Sequence, residues 1–246
     1  MNYVLMIHAA ESIYANYTPE QNEAVMQAHA EFSRGLDATG KSGDCAALES
    51  VRTATCVRIR GGQRTVQDGP FAETREQLGG YYTFEGSEED ALSWASKIPE
   101  AKGGTIEVRP VVPTNKPASK PAEANGQKEY LLLVYDEESA LSALSPAEQE
   151  KQVVAYRELN QGLVESGQYI AGERLARPKQ AKCVRVEGDK RVVRDGPFAE
   201  TREHLGGYYR VFAKNLDEAI EIAAKIPAAH RGTIEVRPVM DTSGYD

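Results

Sequence analysis

The side chains best placed by type and spacing to do chemistry occur in duplicate. Residues 68–82 read DGPFAETREQLGGYY and residues 195–209 read DGPFAETREHLGGYY, identical at 14 of 15 positions inside copies that otherwise diverge. Each stretch carries three carboxylates, of which Asp68 and Glu73 or Asp195 and Glu200 are the candidates, and a guanidinium, Arg75 or Arg202. Carboxylates lining a pocket act as a base or bind a cationic group. The alternative is structural: Asp68 caps a turn, Glu73 pairs with Arg75 or Arg109, and Phe71 plugs the core. Asp-Gly-Pro is a turn former, because Asp accepts local N–H bonds, Gly permits positive φ and Pro fixes the next residue.

His29 is the second candidate. It shares a helical face with Val25, Phe32 and Leu36, the face expected to turn toward a sheet. An inward histidine there is either a hydrogen-bonded core residue or a general acid or base oriented by a carboxylate. The matching position of the second copy holds Tyr156. His8 and His230 fall at strand ends or in loops with no partner at metal-ligand spacing, and His204 is the one difference within the repeated stretch. No H-E-x-x-H, P-loop or G-x-G-x-x-G pattern occurs, so no cofactor or metal is expected. Three cysteines without a C-x-x-C pair offer neither a disulfide framework nor a zinc knuckle, and fit a reducing compartment.

The elements that must position these residues are also written twice. Tyr3 aligns with Tyr130 at an offset of 127, and GTIEVRPV recurs unchanged at residues 104–111 and 232–239. The expected organisation is a first domain over 1–112, a Pro-rich linker over 113–127, a second domain over 128–241 and a tail over 242–246. Each copy reads as a short apolar strand, then a helix opened by a capping box (Thr18-Pro19-Glu20-Gln21 or Ser145-Pro146-Ala147-Glu148) and closed near Gly40 or Gly167. A β-hairpin around Gly61-Gly62 or Gly188-Asp189 follows, then the repeated stretch leading into a strand, a second helix ending at Pro99 or Pro227, and a last strand. That order is α+β: β-α-β-β-α-β with an extra hairpin, the split β-α-β arrangement of ferredoxin-like modules. Helices cover one sheet face and leave the other bare, so the two copies are expected to pack sheet to sheet as a pseudo-dimer within one chain.

A net charge of −8, from 29 basic and 37 acidic residues, argues against nucleic acid or an anionic membrane as partner. No apolar run approaches the roughly 20 residues that span a bilayer, and the start lacks the features of a signal peptide, so a cytoplasmic address is expected.

The repeated motif, the Val-Arg hairpin before it and the closing Glu-Val-Arg-Pro-Val resemble the DGPF proteins of the YCII-related family, here with two tandem copies. The resemblance implies a dimeric α+β barrel of ferredoxin-like halves. It also implies an enzymatic site made of a first-helix histidine, eleven residues before a glycine, and an aspartate. His29 and Gly40 match that spacing, Tyr156 departs from it, and Asp68 and Asp195 are the aspartates chosen. The expectation is an enzyme acting on a small molecule, with His29 and Asp68 catalytic and Glu73, Arg75, Tyr156, Asp195, Glu200 and Arg202 contacting ligand. Members of the family are also associated with extracytoplasmic-type sigma factors, which implies the alternative of a ligand-binding or regulatory module.

Overall fold

The computed structural model describes residues 1–72, 74–114, 126–199 and 201–245. Glu73, Glu200 and most of the linker lie outside them.

Among the described residues, twelve strands and five α-helices form two halves of the same construction. In the first copy β1 (Asn2–Ala9) leads to helix α1 (Pro19–Asp37), β2 (Ser42–Ala47), the hairpin β3 (Thr55–Arg60) and β4 (Gln63–Asp68), β5 (Gln77–Glu85), helix α2 (Glu88–Ala95) and β6 (Thr105–Pro110). The second copy repeats this as β7 (Lys128–Asp136), a short helix α3 (Glu138–Ser142), α4 (Pro146–Glu165), β8 (Tyr169–Arg174), β9 (Lys182–Glu187), β10 (Lys190–Asp195), β11 (His204–Ala213), α5 (Leu216–Lys225) and β12 (Thr233–Pro238). Both expected capping boxes are present: Thr18 exchanges hydrogen bonds with Gln21, and Ser145 with Glu148. Gly40 (φ 65°) and Gly167 (φ 71°) follow the long helices in the left-handed conformation that lets the chain turn away.

Strands β6-β1-β5-β2 and β12-β7-β11-β8 each follow the ferredoxin-like order, all antiparallel. Strands β2 and β8 lie between the long helices and the hairpins, where the sequence pattern indicates no element. Their residues, SGDCAA and YIAGER, lack a clean apolar alternation because they sit at a sheet edge with half-buried side chains.

The hairpins change sheets. Strand β3 pairs with β12, and β9 pairs with β6, so each six-stranded sheet is completed by the hairpin of the other copy. Arg60 at the end of β3 fastens this exchange by donating to the carbonyls of Ala229, Arg231 and Gly232 at 2.9 to 3.0 Å. Beyond the sheets proper, bridges Leu48–Val239 and Val111–Leu175 join the two layers and close the barrel.

The apolar runs of β1 and β7 are explained by burial on both faces. Tyr3, Leu5 and Ile7 point to the helices with Phe32, Leu36 and Leu92, while Val4 and Met6 face the other sheet. In β7, Tyr130, Leu132 and Val134 face the helices, and Leu131 and Leu133 meet Val4 and Met6 between the sheets. The helix layers and the inter-sheet core are thus three apolar clusters separated by two sheets. Among the described residues, no helix is long and apolar enough to cross a membrane.

Candidate functional site

The two sequence repeats bind each other across the halves. After β4, the first DGPF loop lies over the second sheet, where the Phe71 N–H donates to Glu235 Oε2 at 2.7 Å. The second loop does the reverse, with the Phe198 N–H donating to Glu107 Oε2 at 2.8 Å. The rings follow: Phe71 stacks on Tyr135 and Phe198 on His8, each with centroids 4.2 Å apart and planes within 16°. Gly69 (φ 102°) and Gly196 (φ 97°) make the turns that aim both phenylalanines inward, a conformation open in practice only to glycine. Each loop is pinned at its base by a Gly N–H, from Gly69 to Ala54 O at 2.8 Å and from Gly196 to Ala181 O at 2.9 Å.

The glutamates that receive these loops belong to the other repeat, GTIEVRPV. Glu107 and Arg109 on β6 form a buried ion pair, as do Glu235 and Arg237 on β12. All four side chains are at most 5% exposed. Each guanidinium also ties down the opposite half: Arg109 donates to Ala176 O at 3.1 Å and Leu205 O at 3.2 Å, and Arg237 to Leu78 O at 3.3 Å and to Glu49 O. Buried charges persist only when paired and hydrogen-bonded in this way.

Between the loops and the pairs lies a cavity of about 80 Å³. Its walls come from both copies and include His8, Phe71, Thr74, Phe198, Thr201 and His204, together with both Glu–Arg pairs. Three residues of this lining hold a buried nitrogen that has no hydrogen-bond partner among the described residues: His8 Nε2, Arg109 Nε and Arg237 Nε. Burial holds the His8 pKa below the usual histidine range, against the upward pull of Glu107 and Glu76. Beside the cavity, Glu76 accepts from Thr105 Oγ1 at 2.8 Å and from Arg185 of the exchanged hairpin at 2.9 Å.

His29 stands at a second place, between α1 and the first sheet. Its Nε2 lies 3.0 Å from Glu100 Oε1 and its Nδ1 3.0 Å from the Tyr82 hydroxyl. Tyr14 donates to the same Glu100 oxygen at 3.0 Å. Burial would raise the Glu100 pKa, but the hydrogen bonds and charge of His29, with the Tyr14 hydroxyl, outweigh it and hold the carboxyl below its ordinary value. An ionised Glu100 can only accept, so Nε2 carries the ring proton, and in the neutral ring Nδ1 accepts from the Tyr82 hydroxyl. Burial pushes the Tyr14 and Tyr82 hydroxyls far above the usual tyrosine range, so both remain donors. In the second copy the position of Glu100 is Ala228 (100 + 128). There Tyr156 meets the Ala228 backbone and Arg231, and Arg231 donates to Asp136 at 2.7 Å.

The structure brings together only part of the expected set. Asp68, the catalytic partner expected for His29, is an exposed residue at the end of β4 in the opposite sheet, whereas the carboxylate hydrogen-bonded to His29 is Glu100. The hairpin exchange is the physical reason: it carries Asp68 away from the helix of its own copy. Asp195 is 85% exposed and pairs with Lys182 at 2.8 Å. Arg75 is exposed, and Arg202, 84% exposed, donates to Glu137 at 2.9 Å. Glu73 and Glu200 fall outside the described residues. Arg109, offered with Arg75 as a partner for Glu73, forms an ion pair with Glu107. Phe71, expected to plug the core, is instead half-buried on the cavity lining and stacks on Tyr135 of the other half. His8, placed by the sequence at a strand end, is the second-last residue of β1 and lines the cavity. The unchanged recurrence of GTIEVRPV was the available signal for its Glu and Arg, since charges in a strand buried on both faces require partners.

Comparison with known proteins agrees with the duplication. The YCII-related domain matches residues 1–115 and again 129–243. An uncharacterised protein of Rhizobium meliloti (strain 1021) is 36% identical over 112 residues, 45% of this chain and 90% of its own length. Among solved structures, a mutant chlorite dismutase from Candidatus Nitrospira defluvii aligns over 99% of this chain and 92% of its own, at 8% identity and a TM-score of 0.44. A heme-binding protein from Thermus thermophilus aligns over 98% and 91%, at 7% identity and a TM-score of 0.44. The chain belongs to the YCII-related domain family and carries two copies of the domain in tandem.

Proposed function

We propose that the protein is a small-molecule-binding module whose site is the cavity shared by the two DGPF loops. The observation that carries this reading is that three residues lining one cavity, His8, Arg109 and Arg237, each hold a buried nitrogen without a hydrogen-bond partner among the described residues. Buried polar groups without partners cost about 1–3 kcal/mol each, and a bound molecule that completes their hydrogen bonds removes that cost. The flanking ring stacks give flat walls and the ion pairs hold them rigid, as a preformed site requires. The test is a thermal-shift screen of small metabolites against the protein and against Ala199→Leu, which fills the cavity from one loop. A ligand at a hundred times its Kd adds about 2.7 kcal/mol, or roughly 5–11 °C in a chain of this size. Stabilisation of the parent and not of Ala199→Leu supports the site; equal stabilisation of both removes it.

A second reading, acid–base catalysis on a small molecule, is favoured by the His29 network. In it His29 is the acid or base, Glu100 takes the orienting role first given to Asp68, and Tyr82 passes the proton to and from Nδ1. The second copy, with Tyr156 in place of His29 and Ala228 in place of Glu100, does not repeat this set. A substrate screen in which His29→Gln abolishes an activity that Thr74→Val leaves intact supports this reading; retention of every activity by His29→Gln overturns it.

A further inference from the structure

The cavity's unmet hydrogen bonds specify the ligand, and we infer that it is a small carboxylate held across the pseudo-twofold axis by the Nε–H groups of Arg109 and Arg237. This inference rests on the cavity being a binding site. The carboxylates of the two ion pairs are already engaged: Glu107 receives Arg109 and the Phe198 N–H, and Glu235 receives Arg237 and the Phe71 N–H. Among the described residues of the lining, the buried side-chain atoms without a partner are two guanidinium N–H groups, which can only donate, and His8 Nε2, which donates when that nitrogen carries the proton. A matching ligand therefore brings acceptors. The two Arg donors occupy equivalent positions of the two copies, which fits a group with two equivalent oxygens, and charge-assisted bonds from guanidinium to carboxylate are the strong kind. A cavity of about 80 Å³ limits the ligand to a few non-hydrogen atoms.

Charge balance points the same way. Each guanidinium is already neutralised by its own glutamate, and Glu76 by Arg185. The charge of an entering carboxylate is left to His8, which can take up a proton. The groups facing His8 are Glu107 and Arg109 on β6 and Glu76 ahead of β5; across the cavity stand Glu235 and Arg237 on β12, Tyr135 on β7 and His204 on β11. Phe198, stacked on the His8 ring, closes the remaining side.

The experiment is a proton–nitrogen NMR titration of the arginine Nε–Hε signals of the full chain at constant ionic strength. The probes are acetate, glycolate and malonate against ethylamine, ethanol and sodium chloride. Signals are assigned with Arg109→Lys and Arg237→Lys or, where these do not fold, from contacts to the neighbouring ring protons. The expected result is saturable movement of both Nε–H signals with at least one carboxylate and none with the controls. His8→Phe, which keeps the stack on Phe198, is expected to weaken that binding at least tenfold. Saturable binding of ethylamine or ethanol at the Phe71 and Phe198 amides, without carboxylate binding, overturns the ligand class and leaves the cavity reading standing. No movement of any cavity signal with any probe, together with a failed metabolite screen, overturns both.

Discussion

Replacing Glu107 with glutamine gives the sharpest consequence of the hairpin exchange. Glu107 is 5% exposed in its side chain and uses its two oxygens for two partners, the Arg109 guanidinium and the Phe198 N–H of the opposite half. Glutamine has one acceptor oxygen and can serve only one of them, while the guanidinium loses its counter-charge. Breaking a buried pair from one side costs about 3–5 kcal/mol. At roughly 2–4 °C per kcal/mol for 150–250 residues, the melting temperature should fall by about 6–20 °C, measured by circular dichroism and checked by urea unfolding. The location of the effect matters as much as its size. In a backbone amide spectrum, Glu107→Gln should move Phe198, 91 residues away in sequence, and leave Phe71 of its own copy near its original position. Glu235→Gln should do the converse. A loss of less than about 2 °C, or a response at Phe71 in the Glu107 variant, would refute the cross-half assignment.

Other outcomes follow from named contacts. Gly69→Ala and Gly196→Ala force a side chain into left-handed backbone at φ 102° and 97°; each should cost about 1–3 kcal/mol and speed proteolysis at its loop. Glu100 titrates below the ordinary glutamate value of 4.5 in the folded chain, so its contribution is complete above that value and is lost as pH falls through the depressed one. Glu100→Gln should therefore lower stability at pH 7 and reduce its decline on acidification below about pH 4.5, read from urea midpoints at several pH values. Burial pushes the thiols of Cys56 to about 12 and Cys183 to about 11, while Cys45 is exposed. Iodoacetamide at pH 8 should therefore label Cys45 alone until the chain unfolds, as read by mass spectrometry of digests.

Much of the scaffold was legible in the sequence because its signals are local. The Thr18 and Ser145 capping boxes, the glycines after the long helices and the hairpin turns depend on neighbours within a few residues, and the duplication fixed the order of elements. The exchange was not legible. A hairpin written next to its own strands pairs by default with them, and nothing local distinguishes Val57 against Ile234 of the other copy from a partner in its own. The same blindness governed the site. The two most exact repeats are exact because each copy's loop is received by the other copy's Glu-Val-Arg strand, so both must match. Taken within one copy, Asp68 and Glu73 looked like the functional carboxylates and GTIEVRPV like an ordinary closing strand. His29 was found because helical periodicity exposes an inward polar residue. Its partner Glu100 was missed because it sits in the short turn after Pro99, where no periodicity applies.

The central claim is that two motifs build one site, and stoichiometry tests it most directly. Each compound that stabilises the protein in the metabolite screen should be titrated while the backbone amides of Phe71 and Phe198 are followed together. Both amides are expected to move along one binding curve that saturates at a single equivalent per chain. Saturation at two equivalents, or movement of one amide without the other, would contradict it.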